Sequence, residues 1–427
     1  MPTSNKEYDK LIKKIDDILL SIKNEPQKFE SVFTELFDKD FEKGLNYINS
    51  LETGLLKGLV ISVKDLFDVK NYKTRGGSKF LNSLPANKDA DCIALIRKAG
   101  GLLLGHTNMT ELAYSGLGIN PHYGTPNNPL YNNSIPGGST SGGAVSIALD
   151  VADITIGTDT GGSTRIPAAF TGITGFKPTQ DNISRNGCLT LSSSLDSIGL
   201  MAKNVELCRQ GYEVMKEKKK PKQKANSKDL KFIVPSNFGF ENIEPDVEIS
   251  FNSAKQKIIE NGYNIVEEEL PILETYKKIP LWQFAAVECQ AEYFEAYTEK
   301  KHLIDPNILK RMDRANDVMA IEYKLLLKMR EDLIKEFNSF LKNNFLLMPT
   351  VTIKPPLLKK CDDQEFYDKV NLITLKNTSL ANYMNGCSLS LPYFINNEPT
   401  GIMLNGSTNN DDNLLEIGSE FETILST

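Results

Sequence analysis

The chain has 427 residues, 40% hydrophobic and 24% charged, an ordinary balance for a folded globular protein and too apolar for a disordered one. A formal net charge of −6 supplies no global field that would draw the chain to nucleic acid or to an anionic membrane. No apolar run reaches the roughly 18 residues a membrane helix needs, and Met1–Lys10 carries no signal-peptide core, so a cytoplasmic home is expected. The six cysteines are scattered without a C-x-x-C pair, which points to reduced buried thiols rather than a disulfide framework or a zinc site.

In chain order, residues 5–50 carry apolar positions three and four apart, Leu11, Ile12, Ile15, Ile18, Leu19 and Ile22, as a peripheral helical lead-in would. From Leu55 the pattern changes to short apolar runs bounded by glycine. Leu59–Val63, Gly101–Gly105 and Ile154–Gly157 read as buried strands, and helical segments at Asp91–Ala99 and Ser141–Leu149 alternate with them. This is an α/β core. The lysine-rich stretch 216–228 breaks all periodicity and reads as an exposed, solvated loop. Beyond it lie a strand at Phe232–Val234, helices over Asp246–Glu260 and Leu281–Asn343, and strands at Phe345–Met348, Ser388–Leu391 and Ile402–Leu404. Strand material on both sides of the helical excursion favours one large α/β domain over two separate ones.

Two glycine-flanked serines stand out, in Pro136-Gly137-Gly138-Ser139-Thr140-Ser141-Gly142-Gly143 and in Gly157-Thr158-Asp159-Thr160-Gly161-Gly162-Ser163-Thr164-Arg165. Glycine lets backbone N–H groups approach a reacting oxygen, so a serine among glycines suits acyl transfer. Neither serine sits in a G-x-S-x-G elbow, and the three histidines, His106, His122 and His302, have no sequence context placing them beside a serine. They read as hydrogen-bonded loop or surface residues. The phosphate-binding G-x-x-x-x-G-K-[ST] and the metalloprotease H-E-x-x-H are absent, and the S-x-x-K at Ser339–Lys342 lacks its companion motifs. Lys64 closes the apolar run Val60-Ile61-Ser62-Val63. Desolvated there it would be a neutral base; the alternatives are a snorkelling side chain or a pair with Asp65 or Asp68.

These segments resemble the amidase signature hydrolases, a family that includes the A subunit of glutamyl-tRNA(Gln) amidotransferase. The similarity runs through Gly54–Gly58, Lys64-Asp65, Gly105-His106-Thr107-Asn108-Met109, both serine clusters, Gly175–Thr179 and Ser194–Gly199, weakens in the helical middle, and returns from Asn382 to Gly406. The resemblance implies a single large mixed β-sheet covered by helices with a more variable helical excursion. It divides one amidase domain into a helical lead-in (1–53), a catalytic core (54–215), the lysine-rich loop (216–228), a mostly helical variable region (229–344) and strands rejoining the core (345–427). It also implies Ser163 as nucleophile, Ser139 as bridging serine after a cis peptide bond, and Lys64 as base. The N–H groups of Thr160, Gly161, Gly162 and Ser163 would form the oxyanion hole. Tyr114, Ser115 and Gly116 would approach the substrate, while Asp159 and Arg165, oppositely charged, would brace the nucleophile loop. No metal or organic cofactor is implied.

The expected activity is hydrolysis of a small carboxamide to the acid and ammonia. A glutaminase subunit supplying ammonia for Glu-tRNA(Gln) or Asp-tRNA(Asn) amidation is the family rival, and an inactive scaffold relative is the third reading. Thr140 replaces a serine common in the family. The segment Met109–Pro126 and the short end after Gly406 look more like stand-alone amidases, so a small-molecule substrate is expected, with no membrane partner and no nucleic acid unless the chain belongs to an amidotransferase. The oligomeric state, a homodimer included, is open.

Overall fold

A computed structural model describes residues 6–81, 84–216 and 226–426. Most of the lysine-rich stretch, 217–225, lies outside the described residues.

One mixed sheet of 11 strands organises the chain. In chain order the strands are β1 (Phe33–Leu36), β2 (Val60–Lys64), β3 (Leu102–Thr107), β4 (Ile154–Asp159), β5 (Thr174–Lys177), β6 (Ser197–Ala202), β7 (Lys231–Pro235), β8 (Asn264–Glu268), β9 (Phe345–Pro349), β10 (Ser388–Ile395) and β11 (Glu398–Asn405). Their spatial order is β1-β3-β2-β4-β6-β5-β10-β11-β9-β7-β8. β2 pairs in parallel with both β3 and β4, so its C-terminal residue Lys64 sits mid-sheet at the end of a strand whose five residues are all buried. The late strands β10, β11 and β9 join the early ones through the antiparallel β5–β10 pair.

The central strands are buried on both sides, and β6 shows how. Ile198, Leu200 and Ala202 join a cluster with Val205, Cys208 and Leu414, whereas Met201 joins Ala144, Ile147 and Ala168. Alternate side chains point to opposite faces of a strand, so the helices Ser141–Ala148 and Arg165–Thr171 cover one face and Val205–Met215 and Asp411–Leu425 the other. Asn204 caps Val205–Met215 by accepting from Leu207 N at 2.9 Å.

The structure departs from the sequence reading at several elements. The lead-in is not purely helical or peripheral: between the helices Lys6–Asn24 and Asp38–Ser50 it contributes β1, antiparallel to β3. β5, β6 and β8 are strands that periodicity did not reveal. The stretch 281–343 breaks into shorter helices, among them Trp282–Glu292, Pro306–Asp313 and Ala320–Leu341. His106 is not a loop or surface residue but lies fully buried in β3, where desolvation lowers its pKa to about 3. His302 is exposed, and His122 is partly buried 3.2 Å from Glu111. None of the six cysteines is bridged, and five are buried.

β1 can approach β3 only because residue 105 is glycine: a Cβ there would meet Glu35 O at 2.5 Å and Leu36 Cα at 3.1 Å. Backbone atoms cannot swing aside as a side-chain tip does. Gly105→Ala is therefore expected to destabilise the protein by about 1–3 kcal/mol, read as a lower midpoint of urea unfolding. An unchanged midpoint would show that β1 is not held this closely.

Candidate active site

Lys64 is fully buried at the end of β2, and among the described residues no carboxylate forms an ion pair with it. Its Nζ donates to Ser139 Oγ at 2.7 Å and to Thr158 Oγ1 at 3.0 Å. Burial lowers its pKa from 10.5 to about 7, partly offset by the more distant Cys188, Asp159 and Asp196. Both carboxylates that a surface-paired lysine could have used are engaged elsewhere. Asp65 accepts from Thr34 Oγ1 at 2.7 Å and Arg75 N at 3.0 Å, and lies 3.4 Å from His106 Nδ1; Asp68 accepts from Thr74 Oγ1 at 2.6 Å.

Ser139 lies just ahead of the helix Ser141–Ala148, after a cis Gly138–Ser139 peptide bond. Three backbone hydrogen bonds fix it: Gly138 N to Gly116 O (2.8 Å), Thr110 N to Ser139 O (3.1 Å) and Thr140 N to Ser163 O (3.3 Å). The last ties the two serine clusters together. Gly138 has no alternative, because a Cβ there would stand 2.5 Å from Gly118 N.

The second cluster turns directly off β4. The Asp159 carboxylate accepts from Gly162 N (2.9 Å), Thr164 N (3.1 Å) and Thr164 Oγ1 (2.9 Å), and forms a two-pronged pair with Arg165 Nε (3.1 Å) and Nη2 (2.8 Å). Burial alone would raise its pKa; the Arg165 charge and hydrogen bonds hold it well below the usual carboxylate range. Both residues are fully buried. Gly162 has φ +130°, a conformation in which a Cβ would also meet Thr378 Oγ1 at 2.2 Å.

Of the four N–H groups expected to receive an oxyanion, that of Gly162 is engaged by Asp159 in this structure. Thr160, Gly161 and Ser163 remain. The Gly161 carbonyl accepts from Thr378 Oγ1 (2.5 Å) and Ser379 Oγ (3.3 Å), which fixes the plane of the peptide that carries it. No hydrogen bond joins Ser163 Oγ to Ser139 Oγ among the described residues.

Ser163, Gly161 and Thr160 line a cavity of about 600 Å³. Ala113, Tyr114 and Ser115 line it as well. Gly116 instead stands behind it, its N–H donating to Asn371 Oδ1 at 3.0 Å and its carbonyl accepting from Gly138. The opposite wall comes from the excursion and the segment after it, through Phe238, Tyr276, Trp282, Leu375 and Tyr383. Among the described residues no cluster of histidine, cysteine and carboxylate side chains could hold a metal ion, and no helix is long and apolar enough to cross a membrane.

Sequence reasoning missed Asn371, Thr378, Ser379 and Asn382. Asn382 donates to Asp159 Oδ1 (3.0 Å) and Asp159 O (2.8 Å) and accepts from Arg165 Nη2 (2.8 Å); Asn371 holds Ser115 Oγ at 2.9 Å. Only Asn382 lay in a segment that carried any sequence signal.

The model of the Amidase family matches residues 20–415. A 2-amino-5-chloromuconic acid deaminase of Comamonas testosteroni is 30% identical over 88% of this chain and 83% of its own. The A subunit of the glutamyl-tRNA(Gln) amidotransferase of Methanococcus vannielii is 30% identical over 90% of this chain and 92% of its own. Among solved structures, an amidase superposes with a TM-score of 0.86 at 27% identity, covering 96% of this chain and 95% of that one. The Kluyveromyces lactis allophanate hydrolase shares the fold at a TM-score of 0.83 and 22% identity, over 94% of this chain and 67% of that one. The buried lysine, the two glycine-set serines and the sheet that positions them thus lie within a match spanning nearly the whole chain, and the chain belongs to the amidase signature family of hydrolases acting on amide C–N bonds.

Proposed function

We propose that the chain hydrolyses a carboxamide through an acyl-enzyme on Ser163, releasing ammonia and then the carboxylic acid. The observation that carries this reading is the 2.7 Å hydrogen bond from a fully buried Lys64 to Ser139, on a loop tied by its backbone to a serine that opens on a cavity. Neutral Lys64 accepts the proton of Ser139, which takes that of Ser163 as its Oγ attacks the carbonyl. The Ser139–Ser163 contact closes in the substrate complex, where such bonds tighten. The oxyanion is received by the N–H groups of Thr160, Gly161 and Ser163, each such donor worth about 3 kcal/mol. As the C–N bond breaks, the relay returns the proton to the departing amine. Water, deprotonated through the same relay, then cleaves the ester.

A second reading, an ammonia-supplying component of a tRNA amidotransferase, is favoured by the match to such proteins over most of the chain. Hydrolysis of simple amides by the isolated chain favours the first reading; activity only with a co-purifying partner favours the second.

Ser163→Ala and Lys64→Ala are each expected to lower kcat/KM by about 10⁴-fold or more, because relay members act as a unit. A fluorophosphonate probe should modify Ser163, located by peptide mass; modification of Ser139 would reverse the two serine roles, and near-normal turnover by either variant would end the proposal.

The pH profile follows from the lowered Lys64 pKa. Only the neutral amine accepts a proton, so kcat/KM should fall about tenfold per unit below a pKa of about 7 and level off above it. A flat profile from about pH 5 to about pH 9 would remove Lys64 as the base.

A further inference from the structure

The cavity at Ser163 combines an apolar wall with one sign of charge. Its described lining includes Lys277, Arg311, Arg314 and Lys376 and no carboxylate. The chain as a whole is acidic, so this is a local enrichment. The two lysines are neutralised outside the cavity, Lys277 by Glu274 at 2.5 Å and Lys376 by Glu241 at 3.1 Å. The arginines form no ion pair among the described residues, although Asp305 and Asp368 attract Arg311 through space. Arg311 donates to the Tyr114 carbonyl and lies 5.7 Å, measured from its guanidinium carbon, from the centres of the Tyr114 and Tyr367 rings. Arg314 lies 3.8 Å over the Trp282 ring and makes no ion pair or hydrogen bond among the described residues. Asp368, which attracts it through space, is held by Lys310 at 2.7 Å.

Two arginines three residues apart repel each other in a low-dielectric cleft unless an anion joins them, and the planar guanidinium fork matches a carboxylate. Stacking on flat aromatic rings leaves the guanidinium edges, where the N–H donors are, directed away from the ring.

We propose that the substrate is an amide whose acyl part carries a carboxylate, received by Arg311 and Arg314 while the carboxamide lies at Ser163. The inference rests on the amidase reading and assigns its substrate class. The cavity volume leaves room for an acyl chain between the two ends, as ligand sites of several hundred Å³ do. Arg314 then sets affinity and orientation, and Arg311 does so while also holding the backbone of Tyr114.

The test compares ω-carbamoyl carboxylates of increasing chain length with their methyl esters, which keep the amide and remove the charge. At the optimal length the acid should exceed its ester in kcat/KM by about tenfold or more, the preference shrinking at high ionic strength. Arg314→Met should reduce that acid-to-ester ratio at least severalfold, chiefly through KM, and Arg314→Lys should retain part of it. Binding is read separately from turnover in Ser163→Ala, because Trp282 is the only tryptophan of the chain. The carbamoyl carboxylates should change its fluorescence saturably and the esters should not. Esters hydrolysed as well as acids, with no selective fluorescence response, would overturn the carboxylate proposal and leave the amidase reading standing. Selective carboxylate binding without Ser163-dependent hydrolysis of any amide would overturn the amidase reading and retain the anion site.

Discussion

The buried pair of Asp159 and Arg165 is the constraint on which the site depends. Asp159 ends β4, and its two oxygens are consumed by the loop that follows, through Gly162 N, Thr164 N, Thr164 Oγ1 and the guanidinium. Arg165 carries the connection outward to Asn382 and, at 3.2 Å, to Ser388 Oγ on β10. One ion pair therefore fixes the loop bearing Ser163 to two elements more than 200 residues further along the chain, at sequence separations of 217 and 223. Such a pair adds little net stability, because both charges are desolvated, but removing one partner strands the other at a cost of about 3–5 kcal/mol. Its value lies in geometry: the Gly162 and Thr164 donors of the turn are held on one carboxylate.

The same region contains three buried basic side chains in different surroundings. Arg165 pairs with the Asp159 carboxylate at 2.8 Å. Lys177 donates to Pro178 O at 2.8 Å and Ser197 Oγ at 3.2 Å, and burial lowers its pKa to about 8. Lys64 has only hydroxyls within reach, so desolvation wins and its pKa falls to about 7. Burial alone would not single out Lys64 as a base, since Lys177 is buried as completely. What separates them is the acceptor: Lys64 contacts a serine that is tied to the loop of a second, cavity-lining serine, whereas Lys177 is spent on a carbonyl and a hydroxyl of β6.

How far the sequence could be read follows from where each element's information lies. β2, β3, β4, β7, β9, β10 and β11 are short apolar runs buried in the sheet and stood out as such. β1, Phe-Thr-Glu-Leu, is an edge strand with all four residues half-buried, and β8, Asn-Ile-Val-Glu-Glu, is the opposite edge; neither has the apolar density that marks a central strand. Lys64, Ser139 and Ser163 stood out as candidates because glycine clusters and a strand-end lysine are local signals, while the roles expected of them came from the family resemblance. The Gly162 N–H bond to Asp159 was not legible, because its acceptor is a side chain whose direction no pattern reveals. Asn371 reaches Ser115 across 256 residues, a contact that exists only once the sheet has closed.

The division of labour between core and excursion explains why reactive atoms and cavity walls come from different parts of the chain. The core meets the excursion through Glu111, buried among Ser78 Oγ at 2.5 Å, His122 at 3.2 Å and the backbone N–H of Asp305 at 2.6 Å. Asp305 opens the helix Pro306–Asp313 that carries Arg311, so the position of that arginine is referred directly to the core. Arg311 in turn grips the Tyr114 carbonyl, and two residues later the Gly116 carbonyl holds the Gly138 N–H ahead of Ser139. A single short segment thus touches the excursion with one carbonyl and the serine loop with the next but one. The backbone that Arg311 holds is thus continuous with the backbone that holds Gly138 ahead of Ser139.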